Sequence, residues 1–189
     1  MQRTYSNMTP LQQNLEGWAP PRPPKVQRGG ASYNATYHFF KNELERHIEQ
    51  YKKLEVEDQT ARLIRDSIDK CLRRYHGYCI KENIGAHYFE LGLKHNAKTE
   101  FEHILPVGVA VTALIFERIT IDQALQIPTC RLSKSKHRKL NSNKLGSKTP
   151  DAYWFWQRYQ SLGIEVETHD GTKVDMVTWN LDTHYKYFI

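Results

Sequence analysis

Proline outlines this 189-residue chain before any other residue type does. It lacks a backbone N–H and has a fixed φ, so it breaks helix interiors and cannot extend a central sheet ladder. Pro10, Pro20, Pro21, Pro23 and Pro24 account for five of the eight prolines, and Gly29-Gly30 follows them. This stretch has little apolar surface to bury, so residues 1–34 read as a disordered, polyproline-like tail. Arg3, Arg22, Lys25 and Arg28 face one acid there, Glu16. A basic docking arm is therefore the sharper alternative to a plain leader. The other three prolines, Pro106, Pro128 and Pro150, divide the second half of the chain.

Residues 35–97 form a predicted helical region. Leu44, Ile48 and Tyr51 share one helical stripe, and Leu63, Ile64, Ile68 and Leu72 share another, with charges between. Leu54–Asp58 reads as the break between two helices, and a shorter helix is expected over Ile84–Leu93. The pattern changes at Lys98. Thr99–Leu105 reads as a strand that Pro106 stops. Val107–Arg118 reads as a buried helix and Ile121–Gln126 as a helical turn broken by Pro128. Thr129–Leu132 is the second expected strand, with Ser133 capping a helix from Lys134 to about Leu145 and Gly146 as its stop. Thr149-Pro150 predicts another helix start, leading through the aromatic run Tyr153-Trp154-Phe155-Trp156 to Leu162. Packing of these rings in the core is favoured over base stacking. Ile164–Phe188 reads as a hairpin around Asp170-Gly171. The expected fold is helix-rich α+β, with residues 98–189 as one unit.

Composition narrows the function. A net charge of +6 and a pI near 9.2 suit a polyanionic partner. Cys71, Cys79 and Cys130 are odd in number and lack a CxxC pair, so free thiols are expected rather than a disulfide framework or a four-cysteine zinc site. No apolar run approaches the roughly 18 residues of a membrane span, and no apolar signal core begins the chain. The expectation is a soluble, cytoplasmic protein without a membrane partner.

Hydrolysis of a phosphodiester needs a base for water, a cation for the developing charge and a frame for both. Glu102 and His103 are adjacent near a strand end, so their side chains leave in different directions. His137 and Asn141, four apart on the expected helix, share one face about 6 Å apart at Cβ. A carboxylate, an imidazole and an amide oxygen suit Mg²⁺ or Mn²⁺, with Zn²⁺ or Ni²⁺ as alternatives. Arg131, Lys134, Lys136, Arg138, Lys139, Lys144 and Lys148 surround that helix without an intervening acid, as phosphate contacts would require.

Glu102-His103-Ile104-Leu105-Pro106 resembles the opening of HNH (ββα-metal) nucleases, in which an acid or histidine precedes the base histidine. The stretch Thr129–Asn141 resembles that family's second strand and metal-binding helix. The resemblance covers about 45 residues. It implies a ββα-metal core with Glu102, His137 and Asn141 as metal ligands and His103 as general base. Two departures stand out. An apolar insert, Val107–Gln126, separates the halves. The asparagine that orients the base histidine is missing near Pro128-Thr129, leaving Thr129 or a backbone carbonyl to fix its tautomer. The implied activity is a metal-dependent endonuclease acting on DNA, with RNA as an open alternative. A non-catalytic nucleic-acid-binding protein using the basic helix at 134–145 is the second expectation.

Overall fold

The structure, a computed structural model, describes residues 31–54, 59–81, 86–93, 97–143, 145, 149 and 151–188. Residues 1–30, residues 55–58 of the helix break predicted at Leu54–Asp58, and Gly146 lie outside the described residues. The predicted tail ends sooner than 34, because helix α1 already starts at Ala31 and runs to Lys52. Helix α2 spans Gln59–Lys81 and packs along α1. Tyr37, Phe40, Leu44, Ile48 and Tyr51 bury one face of α1, and Ala61, Ile68, Leu72, Tyr75 and Cys79 bury the facing stripe of α2. Leu63, placed on that stripe by sequence, is 61% exposed.

The segment expected to hold a helix at Ile84–Leu93 contains strand β1, Tyr88–Glu90, instead. Tyr88 is fully buried, and Tyr88-Phe89 is aromatic sequence that fits a pleated surface well. Gly92, at φ +72, turns the chain after it. Strands β2 (Thr99–His103), β3 (Thr129–Ser133) and β4 (Val166–Thr168) complete a sheet of order β2-β3-β1-β4. β2 is antiparallel to β3, β3 is parallel to β1, and β1 is antiparallel to β4. The molecule is thus α+β with a small mixed sheet.

The apolar insert folds as α3 (Val107–Ile115), buried except at Gly108 and Val109, and α4 (Ile121–Leu125). A capping box fixes the start of α4: Thr120 Oγ1 accepts from the Gln123 N–H, and the Gln123 side chain accepts from the Thr120 N–H. Helix α5, Lys134–Ser142, follows β3 directly, with Ser133 as its cap. Helix α6 covers only Gln157–Gln160. The Asp151 carboxylate accepts from the N–H groups of Tyr153 and Trp154, holding a turn where a helix was expected. Phe155, Trp156 and Tyr159 are buried, so most of the aromatic run serves the core.

The expected C-terminal hairpin is mostly absent. Beyond β4 the return is short: one bridge, Glu167 with Lys173, flanked by the Thr168 N–H to the Thr172 carbonyl and the Val174 N–H to the Val166 carbonyl. Asp175 then accepts from the Val177 N–H and the Thr178 hydroxyl, turning the chain away from a second strand. Asn180 caps helix α7, Leu181–Tyr187. A hydrogen-bonded line ties this helix down. The Trp179 indole donates to the Tyr88 hydroxyl at 2.9 Å, which donates to His184 Nδ1 at 2.8 Å. His184 Nε2 donates to the Gln126 carbonyl at 2.7 Å. The three cysteines are buried free thiols. Among the described residues no helix is long and apolar enough to cross a membrane.

Tyr88→Phe removes the middle of that line while keeping the ring. It is expected to cost about 1–3 kcal/mol, because buried His184 and half-buried Trp179 both lose a hydrogen bond. Chemical denaturation of the two proteins checks this.

Candidate active site

In the β2–β3 ladder, Glu102 lies opposite Cys130 and His103 opposite Thr129. Adjacent strand residues face opposite sides, so Glu102 and His103 point apart. Helix α5 crosses the Glu102 side, because Ser133 ends β3 and begins the helix without an intervening loop. One turn in, His137 Nε2 comes within 3.2 Å of Glu102 Oε2. The other carboxylate oxygen accepts from Arg158 of α6 at 2.7 Å. The Glu102 side chain is 10% exposed, that of Arg158 0%, and that of His137 24%. The cluster therefore opens to solvent at the imidazole.

Arg158 holds more than the carboxylate. The nitrogen that binds Glu102 also donates to the His103 carbonyl, and its other terminal nitrogen donates to the Leu145 carbonyl at 2.8 Å. Both the side chain of Glu102 and the backbone of the next residue are thus fixed from α6. On the other side of β2, His103 Nε2 is 3.0 Å from His76 Nδ1 of α2, and His76 Nε2 is 3.2 Å from the Leu125 carbonyl of α4. Burial above all, together with His76, Arg73 and Arg158, pushes the His103 imidazole down to about 2. The ring is therefore uncharged at neutral pH.

Two expected members stand apart. Asn141, one turn beyond His137 on α5, is exposed, and its side chain makes no hydrogen bond among the described residues. Thr129 does not orient His103: its hydroxyl lies 2.8 Å from His87 Nδ1 and accepts from the His87 N–H at 3.3 Å. Of the basic group, Arg138 and Lys139 are exposed on α5. Lys134 pairs with Glu100 at 3.5 Å, Lys136 donates to the Gly163 carbonyl, and Arg131 donates to Thr99. Lys144 and Lys148 lie outside the described residues.

Among the described residues no three His, Cys, Asp or Glu side chains gather as a metal site. Glu102 and His137 still fit a cation as a pair. Two donors bound at about 2.1 Å in adjacent positions of one ion stand close to the observed 3.2 Å apart. The Asn141 amide and solvent would have to supply the rest.

Arg158 and His76 were invisible to the motif reading. Each reaches the site from an element distant in sequence, and neither has a local spacing rule. The one cue was Arg158 itself, a lone cation between Trp156 and Tyr159 in a segment otherwise destined for the core. Comparison with protein-family models, curated proteins and solved structures returned no match.

Two outcomes follow for the metal-free protein. Arg158→Leu leaves the Glu102 carboxylate buried beside His137 alone, and a loss of about 3–5 kcal/mol is expected in denaturant unfolding. The second concerns pH. His103 titrates near 6.5 when unfolded and near 2 when folded, so the unfolded chain binds more protons between these values. Its contribution is present above about 6.5 and lost as pH falls below that. Unfolding in EDTA from pH 7.5 to 5, on the order of that window, should show a shallower decline for His103→Gln than for the wild type.

Proposed function

We propose that this chain is a metal-dependent endonuclease that hydrolyses DNA phosphodiester bonds, with β2, β3 and α5 as a ββα-metal core. The observation that carries the reading is the 3.2 Å approach of His137 to Glu102, one residue from an uncharged His103. A structural ion pair would account for the approach alone. It would not account for an adjacent neutral imidazole, a histidine ligand that reaches solvent and a flanking helix with exposed Arg138 and Lys139.

In this reading Glu102, His137 and Asn141 hold a divalent cation, Mg²⁺ or Mn²⁺ first and Zn²⁺ or Ni²⁺ as alternatives. When bound, the cation stabilises charge on the phosphate and leaving oxygen. His103 accepts the proton of the attacking water. It starts uncharged, as a base must, and the anionic diester beside it stabilises the imidazolium that forms. Arg158 keeps Glu102 aimed at the opening, since the guanidinium holds one carboxylate oxygen and leaves the other turned towards His137. Arg138 and Lys139 contact backbone phosphates, which makes binding salt-dependent and insensitive to sequence.

Detachment of Asn141 from the Glu102–His137 pair favours a second reading, a nucleic-acid-binding protein without chemistry. A plasmid-nicking assay separates the two. The wild-type chain should nick supercoiled DNA in Mg²⁺ or Mn²⁺ and stop in EDTA. His103→Ala should lose about 10²–10⁴-fold in rate while retaining DNA binding. His137→Ala should lose activity and metal affinity together. Binding without nicking under every metal would leave only the second reading standing.

A further inference from the structure

We propose that His76 of α2 is the positioning residue that fixes the tautomer and orientation of His103. Its catalytic meaning rests on His103 being the base of the proposed nuclease. The hydrogen bonds assign the protons in sequence. A backbone carbonyl can only accept, so the 3.2 Å contact between His76 Nε2 and the Leu125 oxygen puts the His76 N–H on Nε2. His76 is 3% exposed, and with its hydrogen on Nε2 the neutral ring offers Nδ1 as an acceptor. That nitrogen is 3.0 Å from His103 Nε2, which must therefore be the donor. His103 then carries its hydrogen on Nε2 and presents Nδ1 as the basic nitrogen.

The rings meet edge-on, with centroids 4.9 Å apart and planes at 61°, so rotation of His103 would break the contact. The anchor is itself held. Leu125 ends α4, and the capping box at Thr120 and Gln123 sets where that helix begins. The Gln126 side chain donates to the Tyr75 hydroxyl next to His76, tying the end of the insert to α2 a second time. The apolar insert between the two halves of the motif thus supplies the terminal acceptor of a three-member line, Leu125–His76–His103. Thr129, the nearer candidate, is engaged by His87. A second nitrogen held in this way is the usual device by which a functional imidazole keeps one tautomer.

The test uses the full chain in EDTA, labelled with ¹⁵N-histidine, with His103 assigned by comparison with His103→Gln. Two-bond ¹H–¹⁵N correlation should show the His103 hydrogen on Nε2. His76→Phe removes the acceptor and should produce a mixture of tautomers. In Mn²⁺ it should lower kcat for plasmid nicking by about 10- to 100-fold with little change in KM. His76→Asn places an amide oxygen close to the position of Nδ1 and should restore both readouts towards wild type. A wild-type His103 hydrogen on Nδ1, an unchanged tautomer in His76→Phe, or no recovery in His76→Asn would each overturn the proposal. If His76→Phe fails to fold, the wild-type and His76→Asn spectra still decide. Absence of nicking by the wild type would count against the nuclease reading alone, because the spectra are recorded without metal.

Discussion

The guanidinium of Arg158 is wholly withdrawn from solvent, and the site depends on what it reaches there. It bonds the Glu102 carboxylate, the His103 carbonyl and the Leu145 carbonyl. Removing a cation and a carboxylate from water is costly, and the cost is offset only when geometry and remaining hydrogen bonds are good. Here the second carboxylate oxygen faces His137, so both oxygens are engaged. The arrangement joins the short helix α6, the end of β2 and the chain beyond α5 around a single planar group. An uncharged residue at this position would leave Glu102 without its fixed partner, and lysine would lack the fork that spans three acceptors.

A second constraint acts from the opposite side of β2. The sheet has only four short strands, so the elements packed on it decide which way each side chain is held. Helices α2 and α4 meet beneath His103 through His76 and Leu125, while α5 and α6 meet over Glu102. The alternation of a single strand thereby becomes two environments: an ionic one around Glu102 and a neutral, desolvated one around His103. Two adjacent residues acquire different surroundings without any unusual backbone between them.

Much of the central segment was legible in the sequence. Proline bounded β2, Ser133 marked the start of α5, and the period-2 rule set Glu102 and His103 on opposite sides, while the i,i+4 rule paired His137 with Asn141, whose side chain stands apart from Glu102. The C-terminal third was less legible. Asp151 and Asp175 compete for backbone N–H groups, replacing an expected helix and an expected strand with turns. β1 escaped notice because three residues are too few for periodicity, and its place in the sheet comes from neighbours far along the chain. His76 and Arg158 escaped for the same physical reason. They lie 27 residues before His103 and 56 after Glu102, contacts that only tertiary packing specifies.

In the proposed nuclease, Glu102 and His137 form one edge of a cation site rather than a self-contained ion pair. Anomalous diffraction from crystals grown with Mn²⁺ tests it most directly. A single peak bound to both Glu102 Oε2 and His137 Nε2 is expected, with each donor at about 2.0–2.2 Å. Density that leaves the two side chains in direct contact at saturating Mn²⁺, or a peak that touches neither, would contradict it.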